Sequence, residues 1–104
     1  MIALLALLQA AAMPQLPPMP VLLRAGLPYS ACLRSAQQDA PDLTREQVLA
    51  HCADVREAAI AKINPVLATK PGFASAERRT QVLDQYFDGK AALEMRALAL
   101  RPQL

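Results

Sequence analysis

Apolar residues recur along the middle of the chain at the three- and four-residue intervals of an amphipathic helix. Over residues 28–38, polar side chains occupy the remaining sides. The apolar positions are Tyr29, Cys32, Leu33 and Ala36. This pattern predicts a first helix from Pro28 to Gln38, because proline suits a first turn and Pro41 disfavours helical geometry at the residue before it.

A second helix is indicated by its N-terminal capping residues. Thr44 and Gln47 have the spacing of a capping box, and Glu46 places a negative charge in the first turn. We expect this helix to run to Ile63, since Pro65 restricts the residue before it. Its apolar face comprises Val48, Cys52, Val55, Ala59 and Ile63.

A third, long helix is predicted from Ser75 to Leu100, after a connection over residues 64–75. Its apolar side comprises Val82, Leu83, Tyr86, Phe87, Leu93, Ala97 and Leu100. A break at Gly89 is the alternative, because the sequence around it also resembles a turn. In the connection, Val66, Leu67 and Phe73 are expected to cover one end of the bundle. With no β-alternation, the predicted fold is all-α: an antiparallel helical hairpin plus a third long helix, in a three-helix bundle-like arrangement.

The first residues of the chain have the pattern of an export signal. Residues 1–12 are almost wholly apolar and end in three alanines, so we expect cleavage near Ala12–Met13. The segment contains no Lys or Arg, and a helix buried in the fold or lying on a membrane is the alternative. Residues 13–27 are a Pro-rich lead segment, of which residues 13–20 are expected to be extended. Residues 28–101 then form a single helical domain.

Charge and composition exclude some functions. The net charge of the 104-residue chain is only +2, the basic residues are scattered and Trp is absent. Nucleic acid is therefore not an expected partner, since such proteins carry clustered cations and stacking aromatics. An apolar run of about a dozen residues is shorter than the ~20 that cross a bilayer, so no integral span is expected in the mature chain.

Cys32 and Cys52 are the two cysteines of the chain, and each lies on the apolar stripe of its predicted helix. They lie ~9 and ~12 Å from the connecting turn at ~1.5 Å per residue, so their levels nearly coincide in a hairpin. We therefore predict a structural disulfide, which suits an oxidising compartment. Buried free thiols and a redox or metal role are the alternatives; a Cys-x-x-Cys motif is absent.

Other reactive side chains indicate little chemistry. Asp84 and Asp88 stand one helical turn apart, where paired carboxylates could serve acid–base catalysis or bind a cation. Two like charges on a solvated face are the commoner case, and Asp54 with Glu57 is similar. His51 is expected at the surface. We predict no catalytic residues, no cofactor and no metal site, and therefore not an enzyme.

Tyr29-x-x-Cys32 followed by Cys52-x-x-x-Arg56 resembles small exported proteins of high-GC bacteria that are helical hairpins with one cysteine per helix. The resemblance covers residues 28–63, and the excess of Arg over Lys agrees with it. It implies export and a hairpin fold, but no activity.

These features predict a periplasmic or secreted protein that acts as a structural or protein-interaction accessory. Its partner would be another protein, or a second copy bound through the third helix. The alternatives are a periplasmic protein that binds a small ligand or metal, and an inhibitor or immunity-type partner of a secreted enzyme.

Overall fold

The structure, a computed structural model, describes residues 16–99, with side chains as far as Arg96. This part of the chain is helical and contains no strand, which confirms the all-α class. It has four helices rather than the three predicted: α1 (Met19–Asp39), α2 (Arg45–His51), α3 (Ala53–Leu67) and α4 (Ala76–Ala99). The predicted signal segment, residues 1–12, lies outside the described residues.

Helix α1 begins nine residues earlier than predicted. The expected start at Pro28 was wrong, since the helix begins at Met19 and Pro28 lies inside it. Pro20 occupies the first turn, where its missing N–H is not needed. Leu22 and Gly26 are buried on the same side as Tyr29. Burial of this continuous face compensates for the proline.

The capping box at α2 is confirmed. The Thr44 hydroxyl accepts a hydrogen bond from the Gln47 backbone N–H at 3.2 Å. In return, the Thr44 N–H donates to the Gln47 side-chain oxygen at 2.8 Å. Two N–H groups that the helix leaves unpaired at its start are thereby satisfied.

The predicted single helix from Thr44 to Ile63 is divided at Cys52, which has φ −101° and ψ 9° and separates α2 from α3. Hydrogen bonding continues across the division, because the Cys52 N–H donates to the Val48 carbonyl at 3.2 Å. At its other end, α3 passes Pro65 and stops at Leu67 instead of Ile63. Leu67 is fully buried, so packing favours the extra turn.

Helix α4 is continuous through Gly89, and the alternative of two shorter helices does not occur. It begins at Ala76, where the Ser75 hydroxyl accepts a hydrogen bond from the Arg78 N–H at 3.4 Å. The predicted end, Leu100, lies outside the described residues.

Leu67, the last residue of α3, and Phe73, in the connection before α4, close one end of the core as predicted, and both are fully buried. Val66 was expected to pack with them, but it is 44% exposed. Arg79 fastens the connection by donating to the Asn64 side-chain oxygen at 2.7 Å and to the Phe73 carbonyl at 2.9 Å.

The hydrophobic core lies around α1, which contacts each of the other three helices. Tyr29 of α1 meets Phe87 of α4 with ring centroids 5.6 Å apart, and Tyr86 meets Phe87 edge-on at 5.5 Å. Leu93 was predicted on the apolar side of this helix but is 66% exposed, so that assignment was wrong.

Candidate functional site

An open apolar groove of about 700 Å³ lies between the first half of α1 and α3. The α1 wall consists of Pro20, Val21, Arg24, Ala25 and Pro28. The α3 wall consists of Val55, Ala58, Ala59, Lys62, Ile63 and Val66. The groove exists because α1 starts at Met19; a helix that began at Pro28 would have supplied almost none of its first wall.

Small side chains leave the groove open. Ala25 is half-buried on α1, and Ala59 is buried on α3 where the two walls meet the core. Ala58 is exposed and also lines the groove. Alanine leaves room for another molecule to approach the helix backbones closely, whereas larger apolar residues would have filled the space.

Two cations are the charged residues of this groove. Arg24 belongs to the α1 wall and Lys62 to the α3 wall, and both are exposed. No Asp or Glu lines the groove, and within residues 16–99 neither cation forms an ion pair. The groove therefore combines an apolar lining with positive charge on both walls.

The paired carboxylates Asp84 and Asp88 have a structural partner. Both accept hydrogen bonds from the Arg56 guanidinium at 3.2 Å, and Glu57 lies 3.5 Å from the same side chain. This cluster joins α3 to α4 through charge-assisted bonds. The arginine that the sequence pattern Cys52-x-x-x-Arg56 singled out thus holds the two carboxylates, which explains their spacing without catalysis.

Tyr29 lies near this cluster, and burial raises the pKa of its phenol. The positive charge of Arg56 opposes the shift, and the negative charge of Asp88 adds to it. Tyr29 is only 2% exposed, so its hydroxyl stays protonated and its ring serves the core.

A second ion pair joins α1 to α4. Arg34 donates to both carboxylate oxygens of Glu94, at 3.1 and 2.9 Å. These hydrogen bonds hold the pKa of Glu94 below its usual value, against the opposing effect of partial burial. The same bonds raise the pKa of Arg34.

His51 is exposed at the last residue of α2. Across the described residues, no group of three or more His, Cys, Asp or Glu side chains is placed to hold a metal ion. His51 and the two aspartates of α4 therefore do not assemble into a metal site.

Cys32 and Cys52 form a disulfide, with their Cα atoms 5.9 Å apart. The two residues predicted to face each other do so. Cys52 is fully buried and marks the division between α2 and α3, so the bond ties that point to α1. Neither cysteine lines the groove.

Exposed apolar side chains are concentrated on α1 rather than on the last helix. Met19, Leu23 and Leu27 are 46%, 48% and 60% exposed, whereas the described part of α4 exposes one large apolar side chain, Leu93. No helix within residues 16–99 combines the length and the hydropathy needed to cross a bilayer.

Fold and site together define a small all-α, disulfide-bonded protein with an apolar, cation-edged groove between two helices. Comparison with known proteins found no family model, no curated protein and no solved structure that matches this chain. The groove and its chemistry are therefore the basis for assigning a function.

Sequence reasoning missed Arg24 and Lys62 as site residues. Arg24 lies in the Pro-rich lead segment that the sequence places before the first helix, and Lys62 lies off the predicted apolar face of its helix. The available signal was the spacing of Leu22, Gly26 and Tyr29, which continues one helical face back through the proline.

Proposed function

We propose that this protein is a small exported interaction accessory that binds a segment of a partner protein in the groove between α1 and α3. The observation that carries this proposal is an open groove of about 700 Å³ whose lining is mostly apolar. Contiguous apolar surface of this kind marks interaction sites, because leaving it in water is unfavourable.

The groove has the length of a short helix. Its α3 wall extends from Val55 to Val66, which at ~1.5 Å per residue is about 16 Å or three helical turns. An open apolar groove between two helices suits the binding mode in which an amphipathic helix inserts its apolar face into the groove.

Export and the hairpin arrangement belong to the same proposal. The Cys32–Cys52 disulfide supports an oxidising compartment. It also supports a hairpin in which the two cysteine-bearing segments run antiparallel and are cross-linked at the same level. Intact mass of the protein recovered from the periplasm or medium tests this. We expect a mass that corresponds to cleavage near Ala12–Met13 and to the loss of two hydrogens from the thiols. An uncleaved chain with two alkylatable thiols would refute both export and the disulfide.

A small amphipathic ligand is the second candidate occupant. The groove volume of about 700 Å³ lies within the ~300–1,000 Å³ typical of ligand sites, and its lining is apolar with few polar groups. A long-chain carboxylate would suit such a lining. The open form of the groove favours the protein partner.

Site-specific photocrosslinking separates these occupants. A photoreactive phenylalanine derivative replaces Val66, which is exposed and is the last residue of the α3 wall, so that it reaches an occupant without filling the groove. The matched control carries the same group at Ala61, which is exposed on α3 but outside the groove. The full chain is expressed with its N-terminal segment, and adducts are identified by mass.

We expect a discrete protein adduct at Val66 that is missing at Ala61. The identified partner, once purified, should bind the unmodified protein and lose at least about tenfold in affinity to Ala58→Trp, which fills the groove. An adduct with the mass of a small molecule would support the ligand candidate instead. An adduct of twice the protein's own mass, or none, would refute the partner proposal.

A further inference from the structure

The two groove walls carry charge of one sign. Arg24 projects from α1 and Lys62 from α3, and among the described residues no Asp or Glu lines the space between them. Two other cations, Arg34 and Arg56, form ion pairs between helices. Arg34 pairs with Glu94, and Arg56 pairs with the two aspartates of α4. An occupant of the groove covers these two cations and removes part of their hydration. Binding is therefore favourable when the occupant places a negative charge opposite each of them.

We infer that the partner segment is an acidic amphipathic helix, with an apolar stripe that enters the groove and Asp or Glu residues on both edges of that stripe. This inference rests on the proposed function and specifies the partner's chemistry. One edge of the helix meets Arg24 and the other meets Lys62.

The alanines of the groove make this geometry feasible. Ala25 lies on one wall and Ala58 and Ala59 on the other, so an inserted helix approaches both walls closely. Helices in contact lie about 8–10 Å apart between axes, and small residues allow the short end of that range. At this distance, a glutamate at the edge of the stripe reaches a cation at the wall.

Charge also argues against the occupants that the chain itself could supply. The most exposed apolar stripe, with Leu23 and Leu27, lies on α1 beside Arg24, and residues 19–38 contain no acidic residue. A second copy docked through that stripe would bring Arg24 against cations. Residues 1–12 are apolar but carry no acidic residue either, so they would leave both cations unpaired.

A biased helical peptide library tests the inference without a known partner. Displayed 14-residue helices have a randomised apolar stripe, and each flanking position carries Glu, Gln or Lys at equal frequency. Selection uses the full-length, disulfide-bonded protein at two salt concentrations. Selected peptides are then measured against Arg24→Glu, Lys62→Glu and the groove-filling variant Ala58→Trp.

Arg45→Glu is the matched control, because it makes the same charge change at an exposed residue outside the groove. Circular dichroism melting of every variant establishes that it is folded before its affinity is compared.

We expect Glu to be enriched on both flanks. Each charge reversal in the groove should weaken binding by about fivefold, the upper end for an exposed ion pair, because reversal replaces attraction with repulsion; Arg45→Glu should have a smaller effect. Affinity should also fall as salt is added, because rim charges are screened.

Three results would overturn the proposals, at different levels. Selected peptides without acidic enrichment, or with affinity unchanged by Arg24→Glu and Lys62→Glu, would refute the acidic helix but leave the groove as the binding site. Peptides that bind Ala58→Trp as well as the parent would refute the groove itself. A library that yields no binder would refute the proposed function.

Discussion

At the scale of single residues, the two helical glycines of the described chain have different surroundings. A Cβ atom at Gly26 would lie 3.1 Å from Cε1 and 3.2 Å from the hydroxyl oxygen of Tyr86. A Cβ atom at Gly89 would meet nothing within 4 Å. The first glycine allows α1 and α4 to approach closely, and the second only lowers helix propensity.

Gly89→Ala should therefore raise the free energy of unfolding by up to about 1 kcal/mol, the helix-propensity difference between the two residues. Gly26→Ala has the same propensity gain, but it must displace the Tyr86 ring by a few tenths of an ångström. We expect Gly26→Ala to be clearly less stable than Gly89→Ala in urea unfolding followed by circular dichroism. Equal stabilisation by both would contradict the close approach at Gly26.

The Arg34–Glu94 pair gives a second prediction at this scale, a pH dependence. The pKa of Glu94 is lowered in the folded protein from its ordinary value of about 4.5, so its ionised form favours folding. The contribution is present above about pH 4.5 and is lost as the pH falls through the lower folded pKa. Glu94→Gln should lower the melting temperature by a few degrees at pH 7 and have little effect near pH 2.

A double-mutant cycle with Arg34→Gln identifies the pair as the cause. At pH 7 the double variant should be no less stable than either single variant, because the two substitutions remove one interaction. Fully additive losses, or a loss from Glu94→Gln that persists at low pH, would show that Glu94 acts through something other than Arg34.

At the scale of secondary-structure elements, α1 is the decisive helix, because its early turns form one wall of the groove. Pro28 has no N–H, so the Arg24 carbonyl receives no helical hydrogen bond from it. Sequence rules treat such a proline as a helix boundary. In the folded protein, Leu22 and Tyr29 are buried on either side of it, and this packing holds the helix together.

The disulfide also acts at this scale, because it ties α1 to the division between α2 and α3. Cys32→Ala/Cys52→Ala should lower the free energy of unfolding by about 3 kcal/mol, because without the cross-link the unfolded chain gains the conformational entropy of an open loop of this length. Reduced wild-type protein should lose a similar amount. An unchanged urea midpoint in both would show that the bond does not support the fold.

At the scale of the whole molecule, one aromatic cluster joins α1 to α4 while the groove stays open between α1 and α3. Phe87 is fully buried and contacts both Tyr29 and Tyr86. Tyr29 also lies in α1, whose other side lines the groove. Packing against α4 therefore keeps the first groove wall in place.

Phe87→Ala should destabilise the protein by about 3–5 kcal/mol, because it removes a buried ring and leaves a cavity. Leu93→Ala is the matched control on the same helix, since Leu93 is 66% exposed and should change stability by less than about 0.5 kcal/mol. Urea unfolding measures both. Similar losses from the two substitutions would show that α4 packs differently.

Much of this protein could be derived from local sequence. The helical class, the capping box at Thr44 and the start of α4 follow from periodicity and capping chemistry, which act within a few residues. The facing positions of Cys32 and Cys52 also followed, because each lies on an apolar stripe.

Only the tertiary structure decided where α1 begins and what it forms with α3. Local rules weigh Pro28 as a break because they count the missing hydrogen bond but not the burial of Leu22 and Tyr29 around it. Arg24 and Lys62, 38 residues apart in sequence, line one groove because those two helices pack together. Side-chain periodicity determines which face of a helix is apolar, whereas the packing of all four helices determines which apolar residues remain open to a partner.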